Sequence, residues 1–134
     1  MNKHPYLSLD AGFERLLREY KTHRSLTVAV DFDNTVYDYH KTGMDCSEII
    51  DLLQKLKSIG IYIIIWTASE DHSFIQAYCN RAEIPYDTIN ENPPFYTGKA
   101  RKIYYNELLD DRAGLKESFD RLTKIYHYVT AQPH

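Results

Sequence analysis

Asp31 and Asp33 stand two residues apart, directly after the apolar run of "VAVDFDNTVYD". Crowding two carboxylates at the end of a buried strand brings a soluble domain no stability, so their placement points to chemistry. Two further acids, Asp110 and Asp111, close the stretch "YYNELLDD", and Thr67 closes the apolar run "IYIIIWT". Four carboxylates in a small space repel one another unless a cation neutralises them. Hard oxygen ligands with no His or Cys among them favour Mg²⁺ over zinc. Mg²⁺ takes few protein ligands and keeps positions for water and phosphate oxygens. The acids therefore read as an Mg²⁺ site suited to a phosphorylated substrate.

Such a site needs elements that bring distant residues to one rim. Residues 10 to 22 read as a helix, with Phe13, Leu16, Leu17 and Tyr20 at i, i+3, i+4 and i+7. "LTVAVDF" reads as a strand. "DCSEIIDLLQKLKSIG" reads as a helix, with Asp45 and Glu48 as a capping box and Gly60 as its stop. "IYIIIWT" is apolar on both faces, as a central parallel strand should be. "SEDHSFIQAYCNRAEI" reads as the next helix, with Ser69 as its N-cap. "YDTI" is a short third strand, "NENPPFYTGKARK" a loop, and "YYNELLDD" a fourth strand. The chain is helical again from about Leu115, and the closing "TAQPH" is expected to be disordered. Alternating strands and helices imply right-handed crossovers. The fold class is thus α/β: a three-layer, Rossmann-like parallel sheet with helices on both faces. Ligands bind such sheets at the carboxyl ends of the strands, where Asp31, Asp33, Thr67, Asp110 and Asp111 all fall.

The chain of 134 residues fits one domain, with a core over about 26–130 and a short flap at 36–45. Its net charge of −3 argues against a broad nucleic-acid surface, though not against a local basic patch. Cys46 and Cys79 form no metal-ligand spacing and suggest a reducing compartment. The N-terminal "MNKHPYLSLD" lacks the apolar centre of a signal peptide, and "IYIIIW" is too short to span a bilayer, so no membrane association is expected. The expected location is cytoplasmic.

Together these motifs resemble the haloacid dehalogenase superfamily of phosphohydrolases. "DFDNT" is similar to its first motif, "IIIWT" to its second, and "LLDD" to its fourth. Lys102, eight residues before Asp110, fits the lysine of the third. The resemblance runs from Val28 to about Asp111 and is greatest for the small members without a cap domain. It implies an enzyme, a phosphatase working through an aspartyl-phosphate on Asp31. Asp33 would be the general acid and then the general base. Mg²⁺ would be held by the Asp31 carboxylate, the Asp33 main-chain carbonyl and Asp110, with Asp111 positioning Lys102 or a metal water. Thr67 would hydrogen-bond the phosphoryl oxygens beside Ala68 and Asn34, and Lys102 would neutralise charge. An acid at Asp33 suits a phosphatase or a mutase. Neither interval between motifs has room for a cap, so the site should be open, or covered by a second copy of the chain. Open sites in this superfamily tend to admit large substrates. With the basic "KARK" loop, this favours a nucleotide or a nucleic-acid phosphate end.

Several residues keep alternatives. Lys99 competes with Lys102, and Asp111 with Asp110. Thr67 also fits a helix-start hydroxyl, Arg112 a salt-bridging surface residue, and His72 a solvated first-turn residue. Asn34 stands where many relatives carry Gly; Asn tolerates the unusual backbone angles there. Tyr37, Tyr39 and His40 in the flap fit either substrate stacking or packing against the domain. The rival from another class is a non-catalytic phosphate- or metal-binding module on the same fold. A receiver-type phosphorylation domain and a Toprim-type nuclease place their acids in a different order.

Overall fold

The computed structural model describes residues 4–8 and 10–133. After a 3-10 turn at Pro5–Leu7 come α1 (Ala11–His23), β1 (Thr27–Val30), α2 (Ser47–Ser58), β2 (Tyr62–Ile65) and α3 (His72–Ala82). β3 (Thr88–Ile89), β4 (Glu107–Leu109) and α4 (Leu115–Ala131) follow. Two helix starts differ from the sequence reading. α2 begins one residue too late for a capping box, so Asp45 instead closes a turn by accepting the Ser47 N–H at 2.9 Å. Asp71 caps α3, its carboxylate accepting the Phe74 N–H at 3.1 Å. Ser69 only shapes the turn before it, accepting the Asp71 N–H. Gly60, at φ 86°, ends α2 as expected. α4 continues through Thr130 and Ala131, so most of "TAQPH" is ordered; its last residue, His134, lies outside the described residues.

The strands form one parallel sheet in the order β3-β2-β1-β4. This is a Rossmann-like α/β fold. β1 lies inside the sheet, with Val28 and Val30 facing Ile63 and Ile65 on one side and Glu107 and Leu109 on the other. The chain leaves β1 towards β2 and β3 at one edge, then returns to β4 at the other. The carboxyl end of β1 is thus the switch point where such sheets bind ligands.

Side chains alternate between the faces of a strand. Val28, Val30, Ile63, Ile65 and Leu109 pack into the main core, which also receives the buried residues of α1, α2, α3 and α4. The other face carries a smaller cluster of Ala29, Ile64 and Ile103, flanked by Tyr62, Trp66, Tyr105 and Leu108. Its cover is residues 90–106, the connection from β3 to β4. The three layers are therefore helices, sheet and an irregular segment, where helices on both faces were expected. The reason is local: Pro93, Pro94 and Gly98 deny this segment a helix while it crosses β2 and β1. Among the described residues, no cap domain interrupts this order of elements.

One buried ion pair ties α4 to the sheet. Glu107 accepts from Arg121 Nη2 at 2.9 Å and Nε at 3.1 Å, and from the Ser118 hydroxyl at 2.9 Å. Replacing Arg121 with Met would strand a largely buried carboxylate. The expected loss is about 2–3 kcal/mol of unfolding free energy by urea titration. A loss under about 0.5 kcal/mol would show that the pair is idle.

Candidate active site

At the end of β1 the chain makes a tight knot. The Asp31 N–H donates to Leu109 O at 2.8 Å, extending the ladder by one rung. Phe32 is buried at 1% exposure, which turns Asp31 and Asp33 to the opposite side. The N–H groups of Thr35, Val36 and Tyr37 all converge on the Phe32 carbonyl at 3.1–3.3 Å. Asn34 takes φ 61° at this turn, the left-handed conformation Asn tolerates. Its Oδ1 is buried without a hydrogen-bond partner.

Thr35 holds the acids together. Its buried hydroxyl lies 3.1 Å from Asp31 Oδ2 and 3.3 Å from Asp111 Oδ1, and accepts the Asp111 N–H at 3.1 Å. Asp31, Asp110 and Asp111 each present a carboxylate oxygen, and these oxygens lie within 4.8 Å of one another. Both members of the acidic pair belong to this group, while the Asp33 carboxylate stands outside it. Asp110 also accepts the Arg112 N–H at 2.9 Å. An all-oxygen donor set of this kind fits a hard divalent cation such as Mg²⁺.

The electrostatics follow from the crowding. Burial first, then the neighbouring Asp111 and Asp110, push the Asp31 carboxyl up to about 7. The hydrogen bond from Thr35 works in the opposite direction. Burial, and then the charge of Asp111, raise Asp33, while nearby His40 opposes the rise.

A cleft of about 330 Å³ opens over these acids, lined by Asp31, Asp33, Asn34, Tyr39, His40, Thr67, Ala68, Asp110, Asp111 and Arg112. Thr67 is held by Asn90, whose side chain accepts the Thr67 N–H at 2.9 Å and donates to its carbonyl at 2.8 Å. The Thr67 hydroxyl accepts the Ser69 N–H at 3.0 Å, so it shapes this turn while keeping its own proton to donate. Lys102 is placed elsewhere. It lines a second cleft with Arg15, Glu19, Tyr96, Tyr105 and Asn106. Lys99 lines neither. The basic loop thus leaves the acid cleft, whose basic residues are Arg112 and His40. Arg112 forms no ion pair among the described residues, contrary to a salt-bridging surface role. His72 starts α3 and does not line the cleft.

Thr35 and Asn90 carried signals that the sequence reading passed over. Thr35 closes "DFDNT", and Asn90 is the polar residue just after β3, as Thr67 is after β2. Replacing Thr35 with Val should weaken Mg²⁺ binding about 10- to 100-fold by calorimetry, with the fold intact by circular dichroism. Unchanged affinity would show that Thr35 does not position the acids.

No family model matches the chain, and no curated protein does. Among solved structures it is similar to that of a conserved protein from Bacteroides thetaiotaomicron. The two are 23% identical over 82% of this chain and 93% of the other, with a TM-score of 0.58. At that identity the likeness speaks for the fold alone.

Proposed function

We propose that this chain is a divalent-cation-dependent phosphomonoester hydrolase. The observation that carries the reading is the convergence of Asp31, Asp110 and Asp111 beside Asp33 and Thr67 at the switch point of the sheet. Asp31, Asp110 and Asp111 would hold the cation, with Mg²⁺ the best match to the donors. Once bound, it would neutralise the acids and stabilise negative charge on a phosphoryl group.

The chain's own residues account for the rest. An Asp31 oxygen attacks phosphorus, and the bond to the leaving oxygen breaks as Asp33 gives that oxygen its proton. Asp33 then takes a proton from water, whose oxygen bonds to phosphorus as the bond from phosphorus to the Asp31 oxygen breaks, releasing phosphate and restoring the Asp31 carboxylate. The raised proton affinity of Asp33 suits a group that must arrive protonated. Thr67 would donate its hydroxyl proton to a phosphoryl oxygen. Arg112, on the cleft wall, would supply the positive charge that the family resemblance assigns to Lys102.

The rival reading, a non-catalytic phosphate-binding module, draws on one observation: no lysine lines the cleft. Hydrolysis of p-nitrophenyl phosphate, with Mg²⁺ and then with EDTA, separates the two. Cation-dependent release of phosphate supports the enzyme. Cation and phosphate binding without turnover supports the module.

A further inference from the structure

The segment after Asp33 is fastened at almost every residue. Tyr37 stacks on buried Phe32 with centroids 5.1 Å apart and meets Phe74 and Tyr78 edge-on at 5.3 and 4.8 Å. Lys41 lies over the Tyr37 ring at 4.4 Å and donates to its hydroxyl at 2.6 Å. The Asp38 carboxylate accepts the N–H groups of Thr42, Gly43 and Met44. Tyr37 is therefore packing, and Asp38 and Lys41 hold the loop in one shape. Between these anchors stand Tyr39 and His40, which both line the acid cleft. Tyr39 is 57% exposed, and His40 meets its ring edge-on at 5.1 Å. An exposed aromatic ring on a braced loop at the wall of a catalytic cleft is a preorganised stacking surface.

We infer that Tyr39 is a stacking platform for a nucleobase, and that the cleft takes nucleotides, free or at the end of a strand. This rests on the phosphomonoesterase reading. The phosphoryl group lies on the acids with Arg112 beside it, and the base rests on Tyr39. Asp31, Asp33 and Asp110 sit partly buried in the cleft and Asp111 is exposed at its side, whereas Tyr39 is mostly open. The ring it meets must therefore be joined to the phosphoryl group by a spacer, as a ribose provides. In an aryl phosphate the ring would sit directly on the acids. A volume of about 330 Å³ is at the lower end for small-molecule sites, enough for a phosphoryl group and one adjoining unit. With no cap domain, a longer strand can leave through solvent.

The test compares kcat/KM for adenosine 5′-monophosphate, a 5′-phosphorylated oligodeoxynucleotide, a phosphotyrosine peptide and glycerol 3-phosphate. Tyr39→Ala should lower the ratio of adenosine monophosphate to glycerol phosphate by about 10- to 100-fold, while Tyr39→Trp keeps it. The oligonucleotide arm tells free nucleotides from strand ends. An unchanged ratio, or a Tyr39 dependence found only with the phosphotyrosine peptide, overturns the inference. Calorimetric binding of adenosine monophosphate to Asp31→Asn, with and without Tyr39→Ala, gives a readout that needs no turnover. Tyr39-dependent binding by a protein that hydrolyses nothing would refute the proposed activity and leave the platform standing. Hydrolysis indifferent to Tyr39 would do the reverse.

Discussion

Replacing Asp31 with Asn should lower phosphomonoesterase kcat by roughly 10⁴-fold or more, because the amide is no nucleophile toward phosphorus and removal of a nucleophile costs on this scale. Asn has nearly the same shape, so the knot around the Phe32 carbonyl should persist. The substitution also removes one of three mutually repelling acids, so the cation-free variant should be more stable than the wild type near pH 8. Low activity with raised stability separates lost chemistry from lost folding. Turnover within tenfold of the wild type, at saturating substrate, would remove Asp31 from the reaction.

The second large effect concerns the cation. Saturating Mg²⁺ should raise the melting temperature at pH 8 by on the order of 10 °C, the result of about 2.7 kcal/mol at 100 times the dissociation constant. EDTA should reverse the rise and end hydrolysis. The gain should be smaller at pH 5, and the sign follows from Asp31. In the cation-free protein its carboxyl is raised from 3.8 to about 7, so between those values the folded state binds more protons than the unfolded one. Stability therefore falls as pH rises through that window and levels off above it. The loss is on the order of 1–2 kcal/mol, because the half-open position of the group weakens the effect. A divalent cation replaces the proton and cancels this loss, and it does so most where the proton has already left. A Mg²⁺ shift that is equal at pH 5 and pH 8, or absent at both, would contradict a cation at Asp31.

The sheet and the gathering of acids were legible because parallel strands are short, apolar and end abruptly. A polar residue straight after such a run must sit at one rim, which places Asp31, Asp33, Thr67, Asp110 and Asp111 from chain order alone. The same rule applied to the two-residue β3 reaches Asn90. Where periodicity fails, chain order says less. Lys102 was located by its spacing from Asp110, but the chain between them crosses an irregular segment, and spacing does not say which way such a segment faces. Arg112, one residue beyond the acids, faces the cleft through a turn that no pattern announces. Tyr37 and Tyr39 are the same residue type two positions apart, yet one is packed and the other open. The difference lies in Phe74 and Tyr78, far along the chain.

The uneven cover of the sheet divides the native state into unequal cooperative units. The helical face holds nearly all the buried apolar residues, whereas the opposite face rests on Ile103 and a few partly exposed neighbours. Partial unfolding should therefore begin in residues 90–106, at a free energy well below that of the whole domain. Asp31 and Asp110 extend from strands anchored by the helical side and would outlast that opening. Thr67 is fastened by Asn90, where the loose segment begins. Of the cleft's walls, the Thr67 side is the one coupled to the less stable part of the molecule.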